Sequence, residues 1–230
     1  MKSSHNKTYF ITFATFIFFF ILGSFYFEYH MKVKNYLDEK QEDLDNYYNN
    51  KLFSLQDYSR VFLDAILQNK KVLSSFEKLS EHPSESVKNQ IRQELFHELE
   101  DYYGYMKSKG VFHLHFHLPD GTSLLRMYEP QKYGDYLLGF RSSIKQVIDL
   151  HKPVLGYEIG KYFDGFRYVY PIMQQGKYLG SIEVSLSSKR FINDMNQYTN
   201  GTFLMILKKK YLNAVMDHAY VKKQLSLIHI

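Results

Sequence analysis

Nineteen consecutive positions, Tyr9 to Phe27, carry no Asp, Glu, Lys, Arg or His. At about 1.5 Å rise per residue, a helix over that run spans close to the roughly 30 Å hydrocarbon core of a bilayer. In lipid an isolated segment must satisfy its own backbone hydrogen bonds, so a helix is the natural form. Tyr9 and Tyr26 suit the two interfaces. A cleaved signal peptide would have a shorter apolar region, about 7–15 residues, with small residues before the cut. Here the only small pair, Gly23-Ser24, is followed by bulky Phe25-Tyr26-Phe27. The run therefore reads as an uncleaved anchor. Lys2 and Lys7 precede it and Lys32, Lys34 and Lys40 follow it, so the positive-inside count barely sets the orientation. The commoner arrangement is expected: residues 1–8 form a cytoplasmic tail, residues 9–27 the transmembrane helix, and the remainder lies outside the cytoplasm.

The rest of the 230 residues allows one or two further domains. There is no cysteine, which excludes disulfides, thiolate metal sites and lipidated cysteine. The 29 Lys+Arg against 24 Asp+Glu are scattered, and the longest basic run is Lys208-Lys209-Lys210. That is no concentrated basic stripe, and a nucleic-acid partner is not expected.

From Glu28 to about Leu79 there is neither proline nor glycine. Leu44, Tyr48, Leu52, Leu55, Tyr58, Phe62 and Ile66 step by three or four, keeping one side of a long helix apolar. That stripe suits either a coiled-coil dimer seam or a surface packed on a sheet. His82-Pro83-Ser84 breaks the helix; Ser84 is placed to cap a second one, Glu85 to about Lys107, closed by Gly110.

Alternating runs separated by turn signals follow, from Val111 to Ser187. Val111–His117 and Thr122–Tyr128 flank Leu118-Pro-Asp-Gly121, a strong hairpin turn. Arg141–His151 reads as a short helix ended by Lys152-Pro153. Three strands follow, at about Val154–Ile159, Phe166–Met173 and Tyr178–Leu186, with turns at Gly160–Gly165 and Gln174-Gln-Gly176. The plan is α+β: transmembrane helix, long amphipathic helix, then a mostly antiparallel five-stranded sheet with a short helix.

An ordered series of motifs resembles the double Cache (PAS-like) sensory domain of bacterial sensor kinases, diguanylate cyclases and chemoreceptors. The series is His115-Phe-His-Leu-Pro-Asp-Gly-Thr-Ser-Leu-Leu-Arg126, Lys132-Tyr-Gly-Asp135, Arg141, Lys152-Pro153, Gly156-Tyr-Glu158, Gly165-Phe-Arg-Tyr-Val-Tyr-Pro171 and Gly180-Ser-Ile-Glu183. The resemblance covers roughly 30–200 and is sharpest over 113–186. It implies an anchor, a long helix, a membrane-distal module that binds a small molecule, then a second module and another membrane helix. An anchor in the bacterial inner (cytoplasmic) membrane, a stalk and long helices over 28–110, a Cache module over 111–187 and a homodimer are expected. Residues 188–230 are then a linker and the start of a second module beginning near Thr202–Leu207. With no second span or output domain after it, and with Leu225-Ser-Leu-Ile-His-Ile230 resembling translated adapter sequence, the chain reads as a truncated gene product.

Two groups of side chains stand out for chemistry. His113, His115 and His117 alternate on a strand, so their rings share one side about 6–7 Å apart. Imidazoles at such spacing can share zinc, but no carboxylate spacing completes a site. The plainer reading is that they cover the face opposite Phe112, Leu114 and Phe116; no metal or cofactor is expected. The second group is Arg126, Arg141 and Arg167, whose guanidinium forks match carboxylate or phosphate. Tyr128, Tyr168 and Tyr170 would add hydroxyls and an aromatic wall, with His115 and Glu158 nearby. The structural alternative pairs the arginines with Asp135, Glu158 or Glu183. The family pocket lies between sheet and short helix, which favours at least one arginine touching ligand, and an anionic metabolite is expected.

Catalytic signatures are missing: there is no Gly-x-Ser-x-Gly elbow, His-Glu-x-x-His or Gly-x-x-x-x-Gly-Lys loop. An enzyme is therefore not expected, although a membrane-anchored extracytoplasmic enzyme is one competing class. A pilin-like structural protein is another. It would need glycine directly before the apolar run and glutamate just inside it, whereas Gly23 sits near the far end and no acid interrupts Tyr9–Phe27.

Overall fold

A computed structural model of the chain describes residues 2–160, 164–199 and 202–206. Lys208–Lys210, the 225–230 terminus, nearly all of the expected second module and the middle of the Gly160–Gly165 turn lie outside the described residues. Helix α1 is Lys2–Leu67, and two compact units meet within its length, Met1–Leu52 and Phe53–Ile230. In the first unit the side chains described, from Tyr9 on, are mostly exposed, including Phe10, Phe13, Phe16 and Phe20. This is the one helix among the described residues long and apolar enough to cross a membrane.

The second unit begins with the end of α1, followed by α2 (Lys70–Leu79) and α3 (Glu85–Ser108). The uninterrupted helix expected to run to Leu79 instead breaks at Gln68-Asn69. Asn69 caps α2 by accepting from the Lys71 N–H, and its amide also donates to Glu98 of α3 at 2.9 Å. An asparagine competes with the helix by bonding nearby backbone, so it ends one helix and starts the next without proline or glycine. Ser84 does stand at the start of α3, but its side chain makes no capping hydrogen bond.

The sheet strands are β1 (His113–His117), β2 (Ser123–Arg126), β3 (Val154–Ile159), β4 (Asp164–Gln174) and β5 (Lys177–Ser187). Helix α4 (Ser142–Leu150) joins β2 to β3, and α5 (Ser188–Thr199) follows β5. All pairings are antiparallel, in the order β2-β1-β5-β4-β3. The α+β plan with five strands and a short helix is what the structure shows. Helix α5 was not anticipated; its segment was read as linker.

Strand alternation divides the sheet into two unlike faces. Leu114 and Phe116 of β1, Leu125 of β2 and Ile182 and Val184 of β5 pack against Leu63, Ile66, Val72, Phe76, Leu95 and Leu99 of the helices. The opposite face is polar along its middle. In register lie His113 beside Ser185, which has Arg167 on its other side, His115 beside Glu183 and Arg126, and His117 beside Ser181 and Ser123. A smaller apolar cluster of Leu137, Ile144, Val147 and Val169 seats α4 over the β4 end of this face. Every residue of β1 is buried, polar ones included, because both faces are covered.

Glycine is required where β5 crosses behind the hairpin. Gly180 has φ +147°, and a Cβ there would stand 2.5 Å from the His117 carbonyl oxygen and 2.8 Å from the Phe76 ring. Gly180→Ala therefore combines backbone strain with overpacking and is expected to cost about 2–4 kcal/mol, read as a lower urea midpoint. An unchanged midpoint would mean the contact relaxes freely.

Candidate functional site

A cavity of about 610 Å³ opens over the polar face. Its floor is His113 and His115 of β1, Arg126 of β2 and Arg167 of β4, with Arg141 at the start of α4. Its roof is the segment after β2, which contributes Tyr128, Glu129, Lys132, Tyr133, Asp135, Leu137 and Phe140. This segment is held to the edge of β2 by backbone hydrogen bonds, Ser123 N–H to the Asp135 carbonyl at 3.0 Å and Gly134 N–H to the Ser123 carbonyl at 2.9 Å. Tyr133 also lies on the guanidinium of Arg92 of α3, 3.5 Å from ring centroid to carbon, while Arg92 Nε donates to the Leu124 carbonyl. The roof is thus tied to a helix of the opposite layer.

All three candidate arginines line this cavity, and each already meets a carboxylate. Arg126 donates twice to Asp135, at 2.8 Å to each oxygen, and once to the Lys132 carbonyl at 2.6 Å. Arg141 donates to Glu158 at 2.7 Å and to Glu183 at 2.5 Å. Arg167 donates to Glu183 at 2.6 Å. Glu158 also accepts from the Ser143 N–H and from the hydroxyls of Ser142 and Ser143. It thus caps the start of α4 from a neighbouring strand, where negative charge is favoured by the helix dipole. Burial pushes the Glu183 carboxyl up, but Arg141 and Arg167 outweigh that and hold its pKa well below the carboxylate range.

The histidines are buried and have partners of their own. The His113 ring stacks on Tyr128 with centroids 3.7 Å apart. His115 Nε2 meets the Ser123 hydroxyl at 2.8 Å, and His117 Nδ1 meets that of Ser181 at 2.9 Å. Burial lowers the pKa of His113 and His117 to about 3 and that of His115 well below the usual imidazole value. The three rings are therefore neutral at pH 7. His115, His117 and Glu183 bring ligand atoms within 4.8 Å of one another, a geometry that could hold a metal ion. Both Glu183 oxygens are already taken by guanidinium groups, however, so a dication there would face two positive charges with no spare carboxylate.

Of the other candidates, Tyr128 lines the cavity, whereas Glu158 supports it from behind Arg141. Tyr168 and Tyr170 lie on the other face. Their β5 neighbours are Val184 and Ile182 of the helical core, and Tyr170 packs against that core. Alternation places them opposite Arg167, a signal already present in the Arg167-Tyr168 adjacency. The roof residues Glu129, Leu137 and Phe140 were not singled out from sequence; the pointers to that segment were the Lys132-Tyr-Gly-Asp135 motif and Asp135 as an arginine partner.

A five-stranded antiparallel sheet with a long-helix layer on one face, and a roofed cavity beside a short helix on the other, defines a PAS-like sensory module. Residues 48–211 match the family described as "Double sensory domain of two-component sensor kinase". The chain belongs to this double Cache family of sensory domains. No curated protein sequence matches it. Among solved structures it is similar to the sensory domain of the Campylobacter jejuni chemoreceptor Tlp3 with isoleucine bound, at 16% identity and TM-score 0.47, over 78% of this chain and 72% of that one. It is also similar to the E. coli DcuS sensor domain, at 12% identity and TM-score 0.44, over 64% and 96%. A third is a domain of a sensory box/GGDEF family protein from Vibrio parahaemolyticus, at 14% identity and TM-score 0.44, over 68% and 63%. The chain thus spans less than two thirds of this Vibrio domain.

Proposed function

We propose that this chain is the extracytoplasmic ligand-sensing part of a bacterial transmembrane receptor, and that its cavity binds a small anionic metabolite. The observation that carries the reading is the convergence of Arg126, Arg141 and Arg167 on one cavity of about 610 Å³ in a sensory-domain fold. Guanidinium groups at a partly desolvated site select planar anions through paired hydrogen bonds. Ligand in the cavity favours one arrangement of roof and sheet by its difference in affinity for the two. The contact between Tyr133 and Arg92 offers a route from roof to helices. The change is then passed through α1 toward the inner membrane, in a homodimer that pairs through this helix.

The test is a thermal-shift screen of the detergent-solubilised full chain against metabolite anions and amino acids. A hit is expected to raise Tm in the wild type and to lose that effect in Arg126→Ala. An unchanged shift in Arg126→Ala would remove the arginine from the site, and no hit of any class would remove the sensing role. For topology, protease added outside intact spheroplasts is expected to digest the region beyond residue 27; digestion only after the membrane is opened would reverse the orientation.

A further inference from the structure

Three carboxylates hold the cavity's arginines, and they differ in how they could leave. Glu183 and Glu158 side chains are 1% and 11% exposed, whereas that of Asp135 is 44% exposed. Moving Glu183 or Glu158 would strand buried guanidinium groups. Asp135 can turn into water by side-chain rotation alone, because its backbone is fixed independently by the hydrogen bonds of residues 134 and 135 to Ser123. Arg126 would also stay in place, since the Lys132 carbonyl accepts from its Nη1 without help from Asp135.

We infer that Asp135 is a resident stand-in for the carboxylate of the physiological ligand: it occupies the two Nη donors of Arg126 and is displaced when a ligand carboxylate binds there. The exchange swaps one planar monoanion for another on the same donors, so the charge balance of the site is kept. A phosphate dianion would add charge that nothing compensates. That argument selects carboxylic acids, with the rest of the molecule lying against His115, Tyr128, Leu137 and Phe140. The competition also sets the affinity, which is scaled by the fraction of sites in which Asp135 has released the fork. A receptor so built responds over a higher range of ligand concentration, and its sensitivity is tuned at one residue.

This inference rests on the sensory reading above and is separable from it. The full chain in detergent is titrated calorimetrically with lactate, succinate, benzoate and leucine, in wild type, Asp135→Asn and Arg126→Gln. Asp135→Asn is expected to bind at least one of these acids ten-fold or more tightly than wild type, and Arg126→Gln to bind none. Equal or weaker binding by Asp135→Asn would overturn the inference, because the carboxylate would then position Arg126 instead of blocking it. Equal binding of the corresponding methyl esters would overturn it as well. If Asp135→Asn fails to fold, Asp135→Ser is titrated with the same readings. Should the acids bind neither protein while a neutral solute binds the wild type, this inference falls and the sensing role stands.

Discussion

Glu183→Ala is expected to lower the melting temperature of the sensory unit by roughly 10–15 °C. The mechanism is the stranding of charge, not the loss of a favourable contact. Arg141 and Arg167 side chains are each 5% exposed, and Glu183 accepts from both. Removing one partner of a buried ionic group costs about 3–5 kcal/mol, because the remaining charge is left without solvation. For a folding unit of this size each kcal/mol corresponds to about 2–4 °C. Removing charge together with its counter-charge should cost less. Glu183→Leu with Arg167→Met is expected to recover half or more of the loss, as when a buried pair is replaced by apolar groups. Calorimetric melts of the two variants decide it. A double variant no more stable than Glu183→Ala would mean that packing at this position, and not charge, dominates.

The second large effect is acid lability. His113, His115 and His117 bind protons near pH 6.5 when unfolded but, because burial disfavours the imidazolium, only far lower when folded. The unfolded state therefore takes up protons first as the pH falls, and stability drops with it. By pH 5 each ring contributes up to about 2 kcal/mol of destabilisation, about 6 kcal/mol for the three as an upper bound. Glu158 and Glu183 have lowered pKa values, so their contribution is held down to the ordinary carboxylate range and does not mask the histidines above it. Urea unfolding at pH 7.5 and pH 5.0 should show a much lower midpoint in acid. A flat profile would mean that the rings are hydrated or already charged at neutral pH. Since His113 and His115 form part of the cavity floor, ligand should partly protect against acid.

The sequence made the elements easier to find than their contents. Turn chemistry at Pro119-Asp120-Gly121, Lys152-Pro153, Gly160–Gly165 and Gln175-Gly176, with alternating runs between them, located all five strands, and His82-Pro83 marked the break before α3. The break at Asn69 was hidden, because an asparagine among good helix formers ends a helix only when a tertiary partner, here Glu98, fixes its side chain. Helix α5 was legible but missed: Phe191, Met195 and Tyr198 stand at i, i+4 and i+7, the spacing of one helix face, and Phe191 and Met195 are the positions it buries. At the site, alternation along β4 already separated Arg167 from Tyr168 and Tyr170. What alternation could not supply was the pairing of distant strands. Glu183 faces His115 and Arg141 only because β5 lies beside β1 in the sheet order, and that adjacency is a property of topology.

The claim on which the account turns is that small molecules are received in the cavity over Arg126. The chain contains no tryptophan, so Phe140→Trp places a single indole at the cavity wall. Titrating this variant with the metabolite that gives the largest thermal shift should produce a saturable change in tryptophan emission, and the change should vanish when Arg126→Gln is added. Emission that stays constant through saturating ligand, or that changes equally without Arg126, would contradict it.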